Sequence, residues 1–157
     1  MGKKLDEYGE PGMSGAVRPM ALSPDERYLY FQVSFFRGFV EYDLQQDRVG
    51  RLARHGLAMN PSGTKLCAAG TMSDYAAIVD RGSFAYTIAA HGHKPYWATN
   101  SGRGSYCFVS FSGDDAVSVI SYRKAKEIAR IQVGDHPQRM RMGKVRAGWL
   151  GTQKPRR

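Results

Sequence analysis

The sequence predicts an all-β protein built from one repeated four-strand unit, on three observations. A basic or histidine residue followed by Pro or Gly recurs at Arg18-Pro19, His55-Gly56, Lys94-Pro95 and His136-Pro137, at intervals of about 40 residues. Behind each of the first three comes a short apolar run, a polar turn and a second apolar run, so that "RPMALSPDERYLYFQV" and "HGLAMNPSGTKLCAAG" share one pattern. No segment sustains helical spacing for long. Four short strands recurring at this period are the signature of a β-propeller blade. The expected fold is therefore a partial β-propeller: about three four-stranded antiparallel blades plus the start of a fourth.

Residues 1–15 read as a flexible N-terminal segment. The first blade, about 16–53, holds "MAL", the turn "SPDE", then "YLYFQV", "GFVEYDL" and "RVGRL". The second, about 54–91, holds "LAM", "NPSG", "KLCAAG", "YAAIVD" and "FAYTIA". The third, about 92–134, holds "YWA", "NSGRG", "SYCFVS", "AVSVIS" and "EIARIQV", with "RKAKEIAR" read as a turn leading into a strand. A partial fourth, 135–143, opens with "HPQRMRMG", and 144–157 form a basic tail. The runs are rich in Val, Ile, Phe and Tyr and are parted by Gly, Pro, Asn, Asp or Ser turns. Pro24 and Pro61 preset a turn angle, and Asp25 or Gly63 supplies a side-chain bond or a permissive angle. An ordinary β-sandwich has no reason to repeat turn, strand and spacing together.

The units "RPMALSPDERYLYFQVS", "HGLAMNPSGTKLCAAGT" and "VGDHPQRMRMG" resemble the YVTN-type β-propeller repeats, whose blades read Val-Gly-x-x-Pro, a strand, a Ser-Pro-Asp-Gly turn and another strand. The resemblance covers residues 16 to about 143. Glu26 stands where that turn has Gly, and the third unit has "NSGRG" in place of Asn-Pro, so the turn geometry is open at both places. The resemblance implies relatives with more blades, often seven, that are often exported.

Three blades in a row leave an apolar blade face bare at each end, and such faces seldom stay in water. A piece of a longer protein, a homo-oligomer completing the ring, and termini that cover the open faces all fit. Cys67 and Cys107 fall at what the repeat presents as matching positions on the second strands of adjacent blades. Matching residues point the same way round a ring, so the expectation is two unpaired, buried, small hydrophobes.

With 157 residues, 42% of them hydrophobic, the chain has room for one domain with a real core. The apolar runs are strand-sized, so no membrane is expected. The first twenty residues lack an apolar signal core; the chain as it stands reads as cytoplasmic, and as extracytoplasmic if an export signal is missing. The net charge is +9, but five basic residues and no acid stand in the last fourteen. That pattern reads as a solvated tail, and nucleic acid is not an expected partner. Basic residues interleaved with aromatics suit single-stranded nucleic acid, yet here the aromatics alternate at strand spacing and read as core. Phe35 and Phe36, being adjacent, cannot both be buried on one face, which leaves one to anchor a partner.

The sequence carries no phosphate loop, serine elbow, paired zinc spacing or acidic metal loop. Asp114 and Asp115 read as turn residues bonding their own backbone. The residues that enter the innermost strands, Arg18, His55, Lys94 and His136, are expected on one channel rim, where an arc of cations focuses field on an anion. Their bland reading is four solvated loop side chains. His55, His93 and His136 are weak metal candidates, and His91 with His93 forms a His-x-His that lacks a third ligand. The function expected is a non-catalytic binding or scaffold module recognising a protein or a polar or anionic ligand at the rim, with no cofactor. The alternative is part of a hydrolytic, lactonase-like, or metal- or cofactor-bearing propeller enzyme.

Overall fold

A computed structural model describes residues 17–33, 38–53, 56–70 and 73–143 of the chain. Twelve strands, and no helix among the described residues, form three four-stranded sheets. The first blade comprises β1 (Val17–Leu22), β2 (Tyr28–Val33), β3 (Gly38–Asp43) and β4 (Arg48–Ala53). The second comprises β5 (Gly56–Met59), β6 (Lys65–Gly70), β7 (Tyr75–Asp80) and β8 (Tyr86–His91). The third comprises β9 (Pro95–Asn100), β10 (Tyr106–Phe111), β11 (Ala116–Ser121) and β12 (Lys126–Gln132). Each sheet pairs its strands in chain order and antiparallel. The first strands lie side by side, β1 against β5 and β5 against β9, so they are the inner strands of an open propeller.

One turn design joins the first two strands of every blade. The amides of Glu26, Gly63 and Gly104 donate to the carbonyls of Ser23, Asn60 and Ser101, at 2.9, 2.9 and 2.8 Å. All three residues take a positive φ, of 55°, 67° and 68°. Glu26 therefore adopts the geometry its residue type disfavours. Glycine is required in the second and third blades: a Cβ on Gly63 would lie 2.7 Å from Pro24 Cδ, and one on Gly104 would collide with the Pro61 ring. The other hairpin repeats as well, with Asp47, Phe84 and Ala125 at φ 49°, 59° and 47°.

Those turns give the true register of the repeat and correct the reading of the cysteines. Lys65 and Tyr106 follow the two turns at the same place, since their carbonyls accept from Asn60 and Ser101. Cys107 thus matches Leu66, and Cys67 matches Phe108. An offset of one residue turns a strand side chain to the opposite face, so Cys67 looks forward and Cys107 back across the same seam. They form a disulfide, with Cα atoms 6.4 Å apart and both residues at 0% exposure.

The two seams between blades are built differently. Between the second and third, Cys67, Ala69, Ile78, Cys107, Val109, Phe111 and Ile120 make one buried cluster. Tyr122 closes it by donating to Asn100 Oδ1 at 2.6 Å and lying 3.2 Å from the Ala58 carbonyl. Between the first and second, Tyr30 packs on Met59, Leu66, Ala68 and Val79, but its hydroxyl enters an ionic network. It donates to Glu41 Oε2 at 2.5 Å and accepts from Arg81 Nε at 2.6 Å. Arg51 grips both oxygens of Glu41, at 2.7 and 2.8 Å, and reaches the carbonyls of Arg81 and Gly82. Glu41 is only 3% exposed, so its charge depends on that fork.

The far side of the third blade is a half-buried sheet face on which no blade packs among the described residues. Trp97, Phe108, Val117, Val119 and Ile131 share it, as the strand registers show. Its counterpart in the second blade, Cys67, Ala69 and Ile78, is buried by the third. Residues 134–143 run beside β9: Ser110 Oγ donates to the Gln138 carbonyl at 2.7 Å, and the Arg139 guanidinium lies 5.8 Å from the Trp97 ring centroid.

Candidate functional site

The segments leading into the inner strands hold the residues that the sequence singles out. Lys94 and His136 occupy equivalent positions, each just before a proline and each at positive φ, 49° and 51°. The Lys94 amide donates to Asp74 Oδ1 at 3.0 Å and the His136 amide to Asp115 Oδ1 at 2.9 Å. Asp74 and Asp115 are themselves left-handed, at φ 55° and 53°, and each stands just before the third strand of its blade. One blade's inner loop therefore pins the next segment of chain by its backbone. The side chains of Lys94 and His136 are exposed. The backbone of Arg18 lies in β1, its side chain falls outside the described residues, and so does all of His55. Phe35 and Phe36 lie outside them too.

Asp114 corrects the reading of a self-contained turn. Its carboxylate accepts the His93 amide at 2.9 Å and faces His93 Nδ1 at 2.7 Å, with Arg130 Nη1 at 3.3 Å. Arg130 also bonds Glu127 Oε1 at 2.8 Å and the His91 carbonyl, and stacks 4.7 Å from the Phe111 centroid. Gly92 sits under this cluster, where a Cβ would meet Phe111 Cδ1 at 2.7 Å. Asp74, His91, Gly92, His93, Asp114 and Arg130 line a shallow open depression.

Electrostatics follow from those bonds. Asp114 bonds His93 and lies beside its charge, raising the His93 pKa. Burial opposes ionisation of Asp114, but His93 and Arg130 outweigh it and hold the carboxyl below its usual range. The His93 side chain is 76% exposed, so with Nδ1 facing Asp114 it offers Nε2 to solvent. That arrangement can hold a proton and meet an anion. Among the described residues no three His, Cys, Asp or Glu side chains converge as metal ligands, and His93 commits Nδ1 to Asp114.

Sequence reasoning missed Asp74, Arg130 and the Glu41–Arg51 fork. An Asp one residue ahead of the third strand in the second and third blades, in "SDYAAIVD" and "GDDAVSVI", was the available signal for the first. Arg130 and Arg51 lie on outermost strands and reach across a seam, which no local pattern reveals.

No protein-family model matches the chain, and no curated protein matches it in sequence. Solved structures do. Hydrazine synthase of Kuenenia stuttgartiensis is similar with TM-score 0.68 and 22% identity, over 74% of this chain and 36% of that one. The β-propeller domain of Cps50 (Swd1) from Myceliophteria thermophila has TM-score 0.65 and 15% identity, over 76% and 42%. A putative 6-phosphogluconolactonase from Bacteroides uniformis has TM-score 0.62 and 14% identity, over 78% and 42%. The chain spans less than half the length of each. At these identities the likeness is one of fold: three consecutive open blades, shared with propellers of unlike function.

Proposed function

We propose that the chain is part of a YVTN-type propeller acting as a non-catalytic binding or scaffold module, which recognises a protein or a polar or anionic ligand at its rim. The observation that carries this reading is the pair Lys94 and His136. In each, an Asp of the preceding loop fixes the backbone, while the side chain stays exposed once per blade. Such a frame keeps geometry constant and leaves the contacting group free to differ; Arg18 and His55 join the proposal on the sequence pattern alone, since the turn register places them two residues further along than Lys94. His93, whose protonated form Asp114 favours, stands beside Lys94 and adds to the field when it carries its proton.

Succinate, a small dianion, tests this on the 15N-labelled full chain at constant ionic strength. Saturating amide shifts at Lys94 and His136, lost in Lys94→Ala/His136→Ala with the melting temperature unchanged, are expected. A response matched by chloride, or kept in the double variant, overturns the rim reading.

The larger ring is supported by the half-buried face around Phe108 and Ile131, the counterpart of a face that the third blade covers in the second. Either further blades or a second copy of the chain would bury it; light scattering on the full chain distinguishes monomer from assembly. Maturation in an oxidising compartment is supported by the Cys67–Cys107 bond. The enzyme alternative is favoured by one observation, the imidazole of His93 oriented by Asp114. It requires lactone hydrolysis that His93→Ala abolishes.

A further inference from the structure

The opposite end of the blades, where the first-to-second strand turns lie, carries a second depression that none of the rim residues line. It opens at the seam between the second and third blades, between Thr64 and Lys65 on one side and Ser105, Tyr122, Arg123 and Lys124 on the other. Asn60, Tyr106, Ser121 and Ile128 complete it, and no carboxylate does.

Among the described residues no carboxylate forms a close ion pair with its cations, although Asp80 lies near enough to Lys65 to feel its charge. Lys65 Nζ gives one bond, 3.1 Å, to the Tyr122 carbonyl across the seam, and an ammonium has three donors. That bond fixes the ammonium at the mouth of the depression. The acid opposite Lys65 in the β6–β7 ladder, Asp80, accepts both the amide and the hydroxyl of Ser83 and is not in the lining. Arg123 and Lys124 are exposed at the tip of the β11–β12 hairpin. At the other seam a carboxylate does pair with a cation, for there Arg51 grips Glu41 while Arg81 bonds the Tyr30 hydroxyl.

We infer that the depression between the second and third blades binds a tetrahedral oxyanion of the phosphate type, held by Lys65, Arg123 and Lys124, with the exposed Ser105 as a hydroxyl donor. A dianion supplies the charge that the seam lacks. Lys65, already anchored, gives the site its fixed point, and the two hairpin cations close from the open side. Ile128, 46% exposed on the same wall, offers apolar contact to the organic part of a phosphate ester.

The test is a titration of the 15N-labelled full chain with inorganic phosphate at ionic strength held by sodium chloride, followed at the Ser105 and Lys124 amides. Saturating shifts are expected, weakened at least tenfold in Lys65→Met and in Arg123→Gln/Lys124→Gln, with near-UV circular dichroism unchanged. The double variant alters only exposed side chains and keeps the test valid should Lys65→Met fail to fold. Glycerol 3-phosphate binding more tightly than phosphate assigns the site to esters; weaker binding assigns it to the free ion. Absence of saturation, wild-type affinity kept in the variants, or a response reproduced by chloride overturns the inference. Succinate shifts at Lys94 and His136 report the rim separately, so either reading can fail alone.

Discussion

Pro24 in the first blade stands over Gly63 in the second, its Cδ 2.7 Å from where a Cβ would be. Gly63→Ala should therefore cost about 2 kcal/mol, combining a left-handed alanine with a displaced proline ring. Glu26, in the turn that holds Pro24, takes the same left-handed geometry with a side chain that disfavours it. Glu26→Gly should be neutral or stabilise by up to about 1 kcal/mol. Urea denaturation of the two variants checks the opposite signs.

Reduction of Cys67–Cys107 should lower stability by about 3 kcal/mol, since the bond closes a long loop in the unfolded chain. Melting curves with and without a phosphine reductant measure it. Because both sulfurs are buried, alkylation should require reductant and denaturant together; labelling in denaturant alone would contradict the bond.

Loss of Glu41 should loosen the first seam. Burial raises its pKa, but Arg51 and the Tyr30 hydroxyl lower it further, for a net depression. A carboxylate with a depressed folded pKa stabilises above its unfolded value, near 4.5, and that stability is lost as pH falls through the folded value. Glu41→Gln should cost about 2 kcal/mol at neutral pH and flatten the acid limb of the stability curve.

His93 should titrate above the ordinary imidazole value of 6.5. Its contribution has the opposite sign: full below 6.5 and lost as pH rises through the raised value. NMR titration of the ring protons should show the pKa fall in Asp114→Asn, with Arg130 unable to replace the lost charge.

The strands and their order were legible because the repeat presents each hairpin three times, and the alternation of apolar residues in "YLYFQV" or "AVSVIS" needs no partner to be read. The cysteines were misread for a physical reason. Their 40-residue separation resembles the repeat, but the turns set the phase, and an error of one residue reverses the face. Lys94 and His136 were singled out by pattern. Their fixed property proved to be the backbone angle and the Asp that holds it, which lies on another blade. Arg51 and Arg130 were invisible because Glu41 and Asp114 meet them only once the strands of their own blades pair, and their carbonyl partners only once the blades stack.

The two seams of the molecule respond to different variables. Acid weakens the ionic seam at Tyr30, Glu41 and Arg51 and leaves the covalent one untouched; a reductant does the reverse. Choosing pH or redox potential thus selects which neighbour the second blade releases first. Stepwise unfolding of the stack, detaching the first blade in acid or the third in reductant, becomes an experimentally steerable order of events.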